Sequence, residues 1–451
     1  MRIHFIAIGG SAMHNLAIAL HKKGYLITGS DDEIFEPSRS RLDKYGLLPE
    51  NYGWFPEKIT KDIDIIILGM HARIDNPELI KAKELDLKIF SYPEYLYEQT
   101  KNKTRIVIGG SHGKTTITSM IMHVLKFYNI GFDYMVGANI KGFETMVNLE
   151  NKNKIAVLEG DEYLSSPIDM TPKFHWYKPH IAVLTGVAWD HINVFPTFEN
   201  YVEQFEIFTK TIEKNGYLFW FEDDIVLKQI NGINPGIKSV PYNKADYFIN
   251  SENRSCIKVG NKTFILNIFG DHNLQNANAA NLVCQKLDIT EEQFWKAMES
   301  FEGASKRLQL IKENSYSSFY IDFAHAPSKL KATITALKQK DKERKLIACI
   351  ELHTFSSLQK NFIPQYKNTM NDANTAIVYF NPDVLKHKKL PEISAEFIKD
   401  SFGNNVKVFS DTIELQNYLK NIDIKDTNIL MMSSGNFNGI NFVEFANELI
   451  K

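Results

Sequence analysis

Short apolar runs alternate along this chain with segments of helical periodicity. In the first hundred residues the pattern predicts strands at Ile3–Ile8, Tyr25–Thr28 and Asp64–Leu68, with a helix over about Met13–Lys23. The polar stretch Glu98–Arg105 is interpreted as a linker, after which a second strand-and-helix unit opens. Such alternation predicts α/β layers built around parallel sheets.

The pattern changes between about residues 217 and 270. Short strands separated by Asn, Gly and Pro are predicted at Tyr217–Phe221, Ala245–Ile249, Cys256–Val259 and Thr263–Phe269. We expect these strands to form an antiparallel sheet that flanks the central domain.

A third α/β unit follows from about residue 306. Its predicted strands are Phe319–Ile321, Lys345–Leu352, Ala376–Phe380, Val406–Phe409 and Ile429–Met432. The expected fold class is therefore α/β with three domains. A Rossmann-like N-terminal domain is expected over residues 1–100, a central phosphate-loop domain with flanking antiparallel strands over 101–304, and a Rossmann-like C-terminal domain over 305–451.

Composition and net charge limit the classes of protein to which this chain can belong. Apolar residues make up 44% and charged residues 24% of the 451 residues, which is typical of a soluble globular protein. A net charge of −2 favours neither a nucleic acid nor an anionic membrane as partner. No apolar run reaches the length of a secretory or membrane-spanning segment, so we expect a cytoplasmic protein. The three cysteines lie far apart and indicate no disulfide framework.

The segment Arg105–Thr116 combines a strand, a glycine-rich turn and the start of a helix. The strict phosphate-loop pattern has a further glycine where this chain has Ile108. The residues after the turn recur at helical spacing, which provides the strand–turn–helix context that the motif requires. They are Ile117, Met120, Ile121, Val124, Leu125 and Tyr128.

This turn predicts a binding site for a nucleoside triphosphate. Gly109, Gly110 and Gly113 allow backbone N–H groups to close around phosphate oxygens, and the helix N-terminus adds its positive end. Lys114 would neutralise charge on the β- and γ-phosphates, and Thr115 would offer its hydroxyl to Mg²⁺. The alternative is a tight strand-to-helix turn with a solvated lysine.

Two further predicted strands of the central domain end in polar residues, in the segments 155–162 and 181–191. Ligands of open α/β sheets bind beyond the carboxyl ends of the strands, so Glu159 and His191 are expected near the phosphates that Lys114 contacts. A hard divalent cation prefers oxygen ligands, which makes Glu159 the expected metal ligand and His191 a second candidate. The alternative is that these side chains only solvate their loops.

Taken in order, the motifs resemble those of the Mur ligase family of peptidoglycan synthesis over essentially the whole chain. The segments are Gly110–Thr116 (G-T-H-G-K-T-T in the family), Glu159–Tyr163 (E-A-D-E-x), Asp190–His191 (D-H), Gly270–Asn276 with Ala279–Ala280 (G-x-H-N-x-x-N-x-x-A), Phe301–Arg307 (F-x-G-x-x-R-R, with Lys306 for the first arginine) and Ile321–Pro327 (D-D-Y-A-H-x-P). Each segment alone can also be explained by a purely structural role, such as helix capping by Asn273 and Asn276. The ordered series favours the family.

The resemblance implies a ligase that uses ATP and Mg²⁺ to activate a carboxylate as an acyl phosphate, which an amine then attacks. It implies an N-terminal domain for a UDP-sugar, a central ATP-binding domain and a C-terminal domain for the amine. The residues it assigns to ATP are Gly110, Ser111, His112, Gly113, Lys114, Thr115, Thr116, His272, Asn273, Asn276, Arg307 and Asp322. The metal ligands it implies are Thr115, Glu159 and His191, and the catalytic residues are Lys114, Glu159, His191 and His325.

Three segments favour one branch of the family. Gly29–Pro37, Glu162–Phe174 and Met432–Ile440 are similar to the branch that joins UDP-N-acetylmuramate to the tripeptide L-Ala-γ-D-Glu-meso-diaminopimelate in peptidoglycan recycling. The branch that attaches L-alanine more often has a second histidine at the position of Ala326. The resemblance therefore favours the tripeptide as partner of UDP-N-acetylmuramate, with L-alanine as the alternative. The oligomeric state is left open.

The glycines after the first strand allow two interpretations. Asp31 follows Gly9 by about 20 residues, a spacing close to a dinucleotide fingerprint, although Ala7 and Ala12 stand where glycines are wanted. A nicotinamide-dependent oxidoreductase and a non-catalytic UDP-sugar sensor are therefore rival hypotheses. The family resemblance instead implies a UDP-sugar site that includes Gly9, Gly10, Ser11, Ser30 and Asp31. His71, which follows the third predicted strand, either lines this site or belongs to a surface loop.

Overall fold

The computed structural model describes residues 1–189, 194–303, 307–403 and 405–450. These residues form two compact units. The first contains Met1–Trp189, Val194–Asn243 and Asn276–Met298, and the second contains Lys244–Gln275 and the chain from Glu299 onward. In the described part of the chain, no helix has the length and apolar character that a membrane span requires.

A parallel sheet in the order β2-β1-β3-β4 forms the N-terminal part of the first unit. Its strands are β1 (Arg2–Ile6), β2 (Leu26–Ser30), β3 (Ile65–Leu68) and β4 (Lys88–Ser91), and its helices are α1 (Ser11–Lys22), α2 (Ser38–Lys44), α3 (Pro77–Glu84) and α4 (Tyr92–Thr100), with a 3₁₀ turn at Pro56–Lys58. One face of β1 packs against α1 through Phe5 and Leu16, and the other face packs against α3 through Ile6 and Leu79. The predicted strands and first helix are confirmed.

The prediction of a linker over Glu98–Arg105 is wrong for most of that segment. Helix α4 ends at Thr100 and the next strand begins at Thr104. A capping box between Ser91 and Glu94 starts α4 in spite of its polar sequence.

The central sheet continues the first unit in the order β13-β12-β11-β5-β8-β6-β7, parallel except for the β6–β7 pair. The strands of this region are β5 (Thr104–Gly109), β6 (Phe132–Met135), β7 (Val147–Asn148), β8 (Ile155–Glu159), β9 (Leu164–Ser166), β10 (Asp169–Pro172), β11 (Ile181–Leu184), β12 (Tyr217–Phe221) and β13 (Lys238–Tyr242), where β9 and β10 form a separate antiparallel pair. Its helices are α5 (Lys114–Phe127), α6 (Lys173–Trp176), α7 (Phe198–Lys210) and α8 (Ile225–Ile230).

One predicted strand belongs to a different sheet from the one expected. Tyr217–Phe221 pairs in parallel with β11 and β13 and is part of the central sheet. The antiparallel flanking sheet is formed by the three later segments, β14 (Phe248–Ile249), β15 (Ser255–Val259) and β16 (Lys262–Ile265), which lie in the second unit. Helices α9 (Asp271–Gln285) and α10 (Glu291–Met298) follow, and the division between the units falls within α9.

The second unit continues as a sheet in the order β17-β18-β22-β19-β20-β21, parallel except for β17. Its strands are β17 (Gln309–Glu313), β18 (Ser317–Asp322), β19 (Lys345–Leu352), β20 (Thr375–Phe380), β21 (Val406–Phe409) and β22 (Thr427–Met432). Its helices are α11 (Pro327–Lys340), α12 (Pro382–His387), α13 (Ala395–Phe402), α14 (Thr412–Asn421) and α15 (Phe442–Leu449), with 3₁₀ turns at Ser356–Leu358 and Ile363–Tyr366. The five predicted strands are confirmed, and β17 was missed.

Candidate active site

The glycine-rich turn connects β5 to α5 near the middle of the central sheet. Gly110 and Gly113 have φ values of 114° and 76°, which L side chains rarely adopt. A Cβ atom at Gly110 would overlap Thr185, and one at Gly113 would overlap the side-chain amide of Asn276. Both glycines are therefore required by backbone conformation and by space.

The segment after β11 holds the turn in place. Ser111 donates its N–H to Gly186 O (2.9 Å) and its hydroxyl to Ala188 O (2.9 Å), while Ala188 N donates to Ser111 Oγ (2.7 Å). Thr185 Oγ1 donates to the carbonyl of His112. The turn thus has a fixed shape, and among the described residues no side chain caps the N-terminus of α5 that follows it.

Lys114 lies in a nearly buried ion pair. Its Nζ donates to Glu162 Oε2 (2.7 Å) and to Gly110 O (2.7 Å), and Tyr201 OH donates to the other oxygen of Glu162 (3.0 Å). Burial lowers the pKa of Lys114, but the carboxylates of Glu162, Asp161 and Glu159 outweigh it and the pKa is raised. The lysine is therefore a fixed cation beside the glycine turn.

Thr115 and Glu159 form an oxygen pair next to that cation. Strands β5 and β8 are adjacent, which places Ile108 opposite Glu159. Thr115 Oγ1 donates to Glu159 Oε1 (2.9 Å), and Gly137 N donates to Glu159 Oε2 (2.7 Å). A hydroxyl and a carboxylate suit a hard cation that keeps several waters or phosphate oxygens as further ligands.

The third predicted metal ligand, His191, lies outside the described residues. Within the described residues, no group of three or more His, Cys, Asp or Glu side chains is placed to hold a metal ion. Among the described residues, the candidate ligands for a cation at this position are therefore the oxygens of Thr115 and Glu159. Thr116, also predicted to contact ATP, is buried in the first turn of α5.

The asparagines predicted to contact the nucleotide fall on both sides of the division between the units. Asn276 belongs to the first unit, where it lies against Gly113. In the second unit, Asn273 donates its side-chain amide to Phe269 O (2.9 Å), and burial lowers the pKa of His272 to about 4. His272 is therefore neutral at pH 7.

In the second unit, Arg307 and His325 both lie near the end of β18, where Asp322 is the last residue. Asp322 accepts backbone N–H groups from Leu308 (2.5 Å) and Ala324 (2.6 Å), and the Arg307 guanidinium lies 4.9 Å from the centre of the Phe323 ring. His325 Nδ1 donates to Phe323 O (2.8 Å). Burial raises the pKa of Asp322 in spite of the Arg307 charge.

The predicted UDP-sugar residues are brought together in part. Asp31 Oδ2 accepts the N–H of Gly9 (2.7 Å), and Ser30 O accepts the N–H of Ala7 (2.9 Å). Ala7 has a φ of 69°, so it adopts a conformation that favours glycine. Gly10 and Ser11 continue this turn into α1, whereas His71 is an exposed residue after β3.

Three regions of the chain match domains of known Mur ligases. Residues 2–104 match the Mur ligase family catalytic domain, residues 108–284 the middle domain, and residues 306–435 the glutamate ligase domain.

Curated relatives match most of the chain. The UDP-N-acetylmuramate–L-alanine ligase of Caldicellulosiruptor bescii is 33% identical over 389 residues, which cover 83% of this chain and 82% of that protein. The ligase of the same name from Sulfurihydrogenibium sp. is 31% identical over 452 residues, which cover 96% and 95%. The chain belongs to the Mur ligase family.

Solved structures share the fold of this Mur ligase. A murein peptide ligase from Psychrobacter arcticus matches with a TM-score of 0.68 and 22% identity, and the UDP-N-acetylmuramate-alanine ligase from Thermotoga maritima matches with a TM-score of 0.70 and 20% identity. Each comparison covers 100% of this chain and 98% of the other. The expected three-domain α/β architecture is confirmed.

Membership in the Mur ligase family makes the chain an ATP-dependent carboxylate–amine ligase. This outcome confirms the enzyme class expected from the motifs, and it favours the ligase over the oxidoreductase and the non-catalytic sensor.

Sequence reasoning missed two side chains of this Mur ligase site. Glu162 belongs to the segment Glu159–Tyr163, and its ion pair with Lys114 is not predicted by that segment. Its position three residues after Glu159, at the same strand end, was the available signal. Tyr201 lies on α7 and contacts both Glu162 and Ser111. No sequence signal pointed to Tyr201, because it reaches the site through the packing of α7.

Proposed function

We propose that this Mur ligase joins the carboxylate of UDP-N-acetylmuramate to the amino group of L-alanine, using ATP and Mg²⁺. The names of the relatives at 31% and 33% identity support this substrate pair. The similarity to murein peptide ligase structures, at 22% identity, supports the fold alone. L-alanine, the alternative from the motifs, therefore becomes the preferred amine.

The arrangement of Lys114, Thr115 and Glu159 around the glycine turn is the observation that carries the ATP-dependent step. A carboxylate resists attack by an amine because oxide is a poor leaving group, whereas an acyl phosphate releases phosphate. Two anions must approach each other to form that anhydride. The buried charge of Lys114 would offset their repulsion at the γ-phosphate.

The glycine turn would hold the phosphates of ATP. Glycines 110 and 113 leave no Cβ in the way of close backbone approach, and the N-terminus of α5 would face the phosphates with its positive end. Ser111, His112 and Thr116 complete this proposed phosphate site. The residues proposed to contact the rest of the nucleotide are His272, Asn273, Asn276, Arg307 and Asp322.

Thr115 and Glu159 would hold Mg²⁺ through their oxygens, with His191 proposed as a further ligand. Their 2.9 Å contact shows that the hydroxyl and the carboxylate lie side by side. When bound, the cation would neutralise phosphate charge during transfer. Glu159 would keep its orientation because Gly137 N–H holds its second oxygen.

Residues outside the central sheet are proposed to act on the reacting groups. His325 is proposed to lie near the amine and the activated carboxylate, where an imidazole can accept the proton that the attacking amine loses. Gly9, Gly10, Ser11, Ser30, Asp31 and His71 are proposed to bind the UDP-sugar.

The test is phosphate release from ATP and UDP-N-acetylmuramate with L-alanine or with L-Ala-γ-D-Glu-meso-diaminopimelate. L-alanine is expected to support turnover, and the tripeptide is expected to support much less. Each product is identified by mass spectrometry. Turnover with the tripeptide alone would overturn the proposed amine while leaving the ligase class intact.

Attachment of the tripeptide is the second candidate function. It is favoured by the similarity of Gly29–Pro37 and Met432–Ile440 to the tripeptide-specific branch, and by Ala326 at a position where the alanine ligases more often have histidine. The same assay separates the two candidates.

A further inference from the structure

The second unit contains a cavity of about 330 Å³ to which no role has been assigned. It is lined by the β14–β15 region, by the start of α9 and by the last turn of α11. Among its described lining residues, none is a residue proposed for the ligase reaction. Its size is at the lower end of the range for small-molecule sites.

The charged side chains that line this cavity favour an anion. Lys244, Lys340 and Lys342 contribute three positive charges and Asp271 one negative charge, which leaves a net charge of +2. Lys244 pairs with Asp271 (2.8 Å) and Lys340 donates to Tyr320 OH (2.8 Å), so both are fixed in place. An anion would meet positioned cations here.

The cavity also has aromatic and aliphatic walls. Tyr247, Ile249 and Phe269 line it, and Lys340 Nζ lies 4.6 Å from the centre of the Phe269 ring. A ligand that carries an apolar body beside its anionic group would use both kinds of lining.

A buried hydroxyl provides an independent indication of a ligand. Ser255 lines the cavity and is 1% exposed, and its Oγ has no hydrogen-bond partner among the described residues. A buried hydroxyl without a partner is costly, and a ligand oxygen would satisfy it. The cavity also borders the start of α9, where backbone N–H groups lack partners within the helix.

We propose that this cavity binds a small phosphomonoester. Its phosphate oxygens contact the lysine side chains and the hydroxyl of Ser255, and its apolar body lies on Tyr247 and Phe269. Its described lining residues include none of those proposed to bind ATP or the UDP-sugar, and its ligand does not depend on the identity of the amine substrate.

Calorimetry with phenyl phosphate and with inorganic phosphate tests the proposal on the full chain. Lys342→Glu is expected to weaken phenyl phosphate binding by at least about tenfold. The matched control is Lys331→Glu, because Lys331 is an exposed lysine of α11 that does not line the cavity. Titrations are repeated in a Lys114→Ala background, which removes phosphate binding at the glycine turn.

Ser255→Ala provides a second readout. It is expected to weaken binding while leaving thermal stability unchanged or higher, because it removes a hydroxyl that has no partner in the protein. Tighter binding of phenyl phosphate than of inorganic phosphate supports the phosphomonoester, and equal affinity overturns it in favour of free phosphate. Absence of binding at millimolar concentration, or equal affinity in the wild type and Lys342→Glu, overturns the site. These titrations contain no ATP or UDP-sugar, so failure of the site and failure of the ligase proposal are distinguishable.

Discussion

At the scale of single residues, Lys114 and Glu162 form an ion pair that is almost out of solvent, with side-chain exposures of 15% and 3%. Removing one partner of such a pair leaves the other buried and uncompensated, which is more costly than removing both. The structural role of Lys114 and its proposed catalytic role can therefore be separated by changing its partner as well.

Lys114→Ala is expected to abolish ATP-dependent phosphate release and to lower the free energy of unfolding by about 3 kcal/mol. The double variant Lys114→Ala/Glu162→Gln is expected to recover most of that stability but none of the activity. Urea denaturation and a phosphate-release assay measure the two effects. Activity in either variant would contradict the proposed role of the lysine.

Asp31, in the N-terminal part of the first unit, is expected to make the stability of the protein depend on pH. Burial, with a contribution from the neighbouring Asp32, raises its pKa from 3.8 to about 6, although the Gly9 N–H opposes the shift. A carboxyl whose pKa is raised on folding binds protons more tightly in the folded state. Its contribution to stability is therefore full below about pH 4 and is lost as the pH rises to about 6.

Asp31→Asn is expected to remove this contribution. The stability difference between wild type and variant should change between pH 4 and pH 6 and stay constant above that range. Denaturation curves over this pH range measure it, with Glu33→Gln as a control at an exposed side chain two residues away. A constant difference from pH 4 to pH 6 would contradict the assignment.

At the scale of elements, the turn between β5 and α5 depends on glycine. Gly113→Ala is expected to destabilise the protein by about 1–3 kcal/mol and to abolish phosphate release, because alanine is strained at this φ and its Cβ meets Asn276. Gly232→Ala is the matched control, since open space surrounds the position of its Cβ. The control should stay within about 0.5 kcal/mol of the wild type by urea denaturation and keep full activity.

Strand positions could be predicted from the sequence more reliably than strand partners. The prediction of Lys345–Leu352 has the observed bounds, because a buried parallel strand is a nearly continuous apolar run. The prediction of Val406–Phe409 also has the observed bounds, although this strand lies at the edge of its sheet and is only partly buried. Tyr217–Phe221 was placed in the wrong sheet, since a short apolar run carries no information about its neighbours. Strand β17 was missed because Gln309–Glu313 is a half-exposed edge strand whose apolar signal is weak.

At the scale of the whole molecule, Asn15 connects the N-terminal sheet region to the central region of the first unit. This buried side chain accepts the N–H of Met146 (2.9 Å) and donates to Ser11 O (2.8 Å). Loss of its oxygen would leave the Met146 N–H without this partner.

Asn15→Ala is expected to lower the free energy of unfolding by about 1–3 kcal/mol and to speed proteolysis of the first unit. Asn417→Ala, at an exposed position on α14, should change stability by less than about 0.5 kcal/mol. Urea denaturation and limited proteolysis provide the measurements. Equal behaviour of the two variants would show that this contact does not stabilise the unit.

The sequence by itself determined the family, the enzyme class and the position of the glycine turn, because these depend on local signals. A glycine turn, the helix behind it and the acidic strand end are each contained within a few consecutive residues. The sequence could not determine that Glu162 and Tyr201 complete the surroundings of Lys114, or that Asn276 lies against Gly113. Those contacts join residues that are far apart in the chain. Strand order and helix packing create them, and so only the tertiary structure decided them.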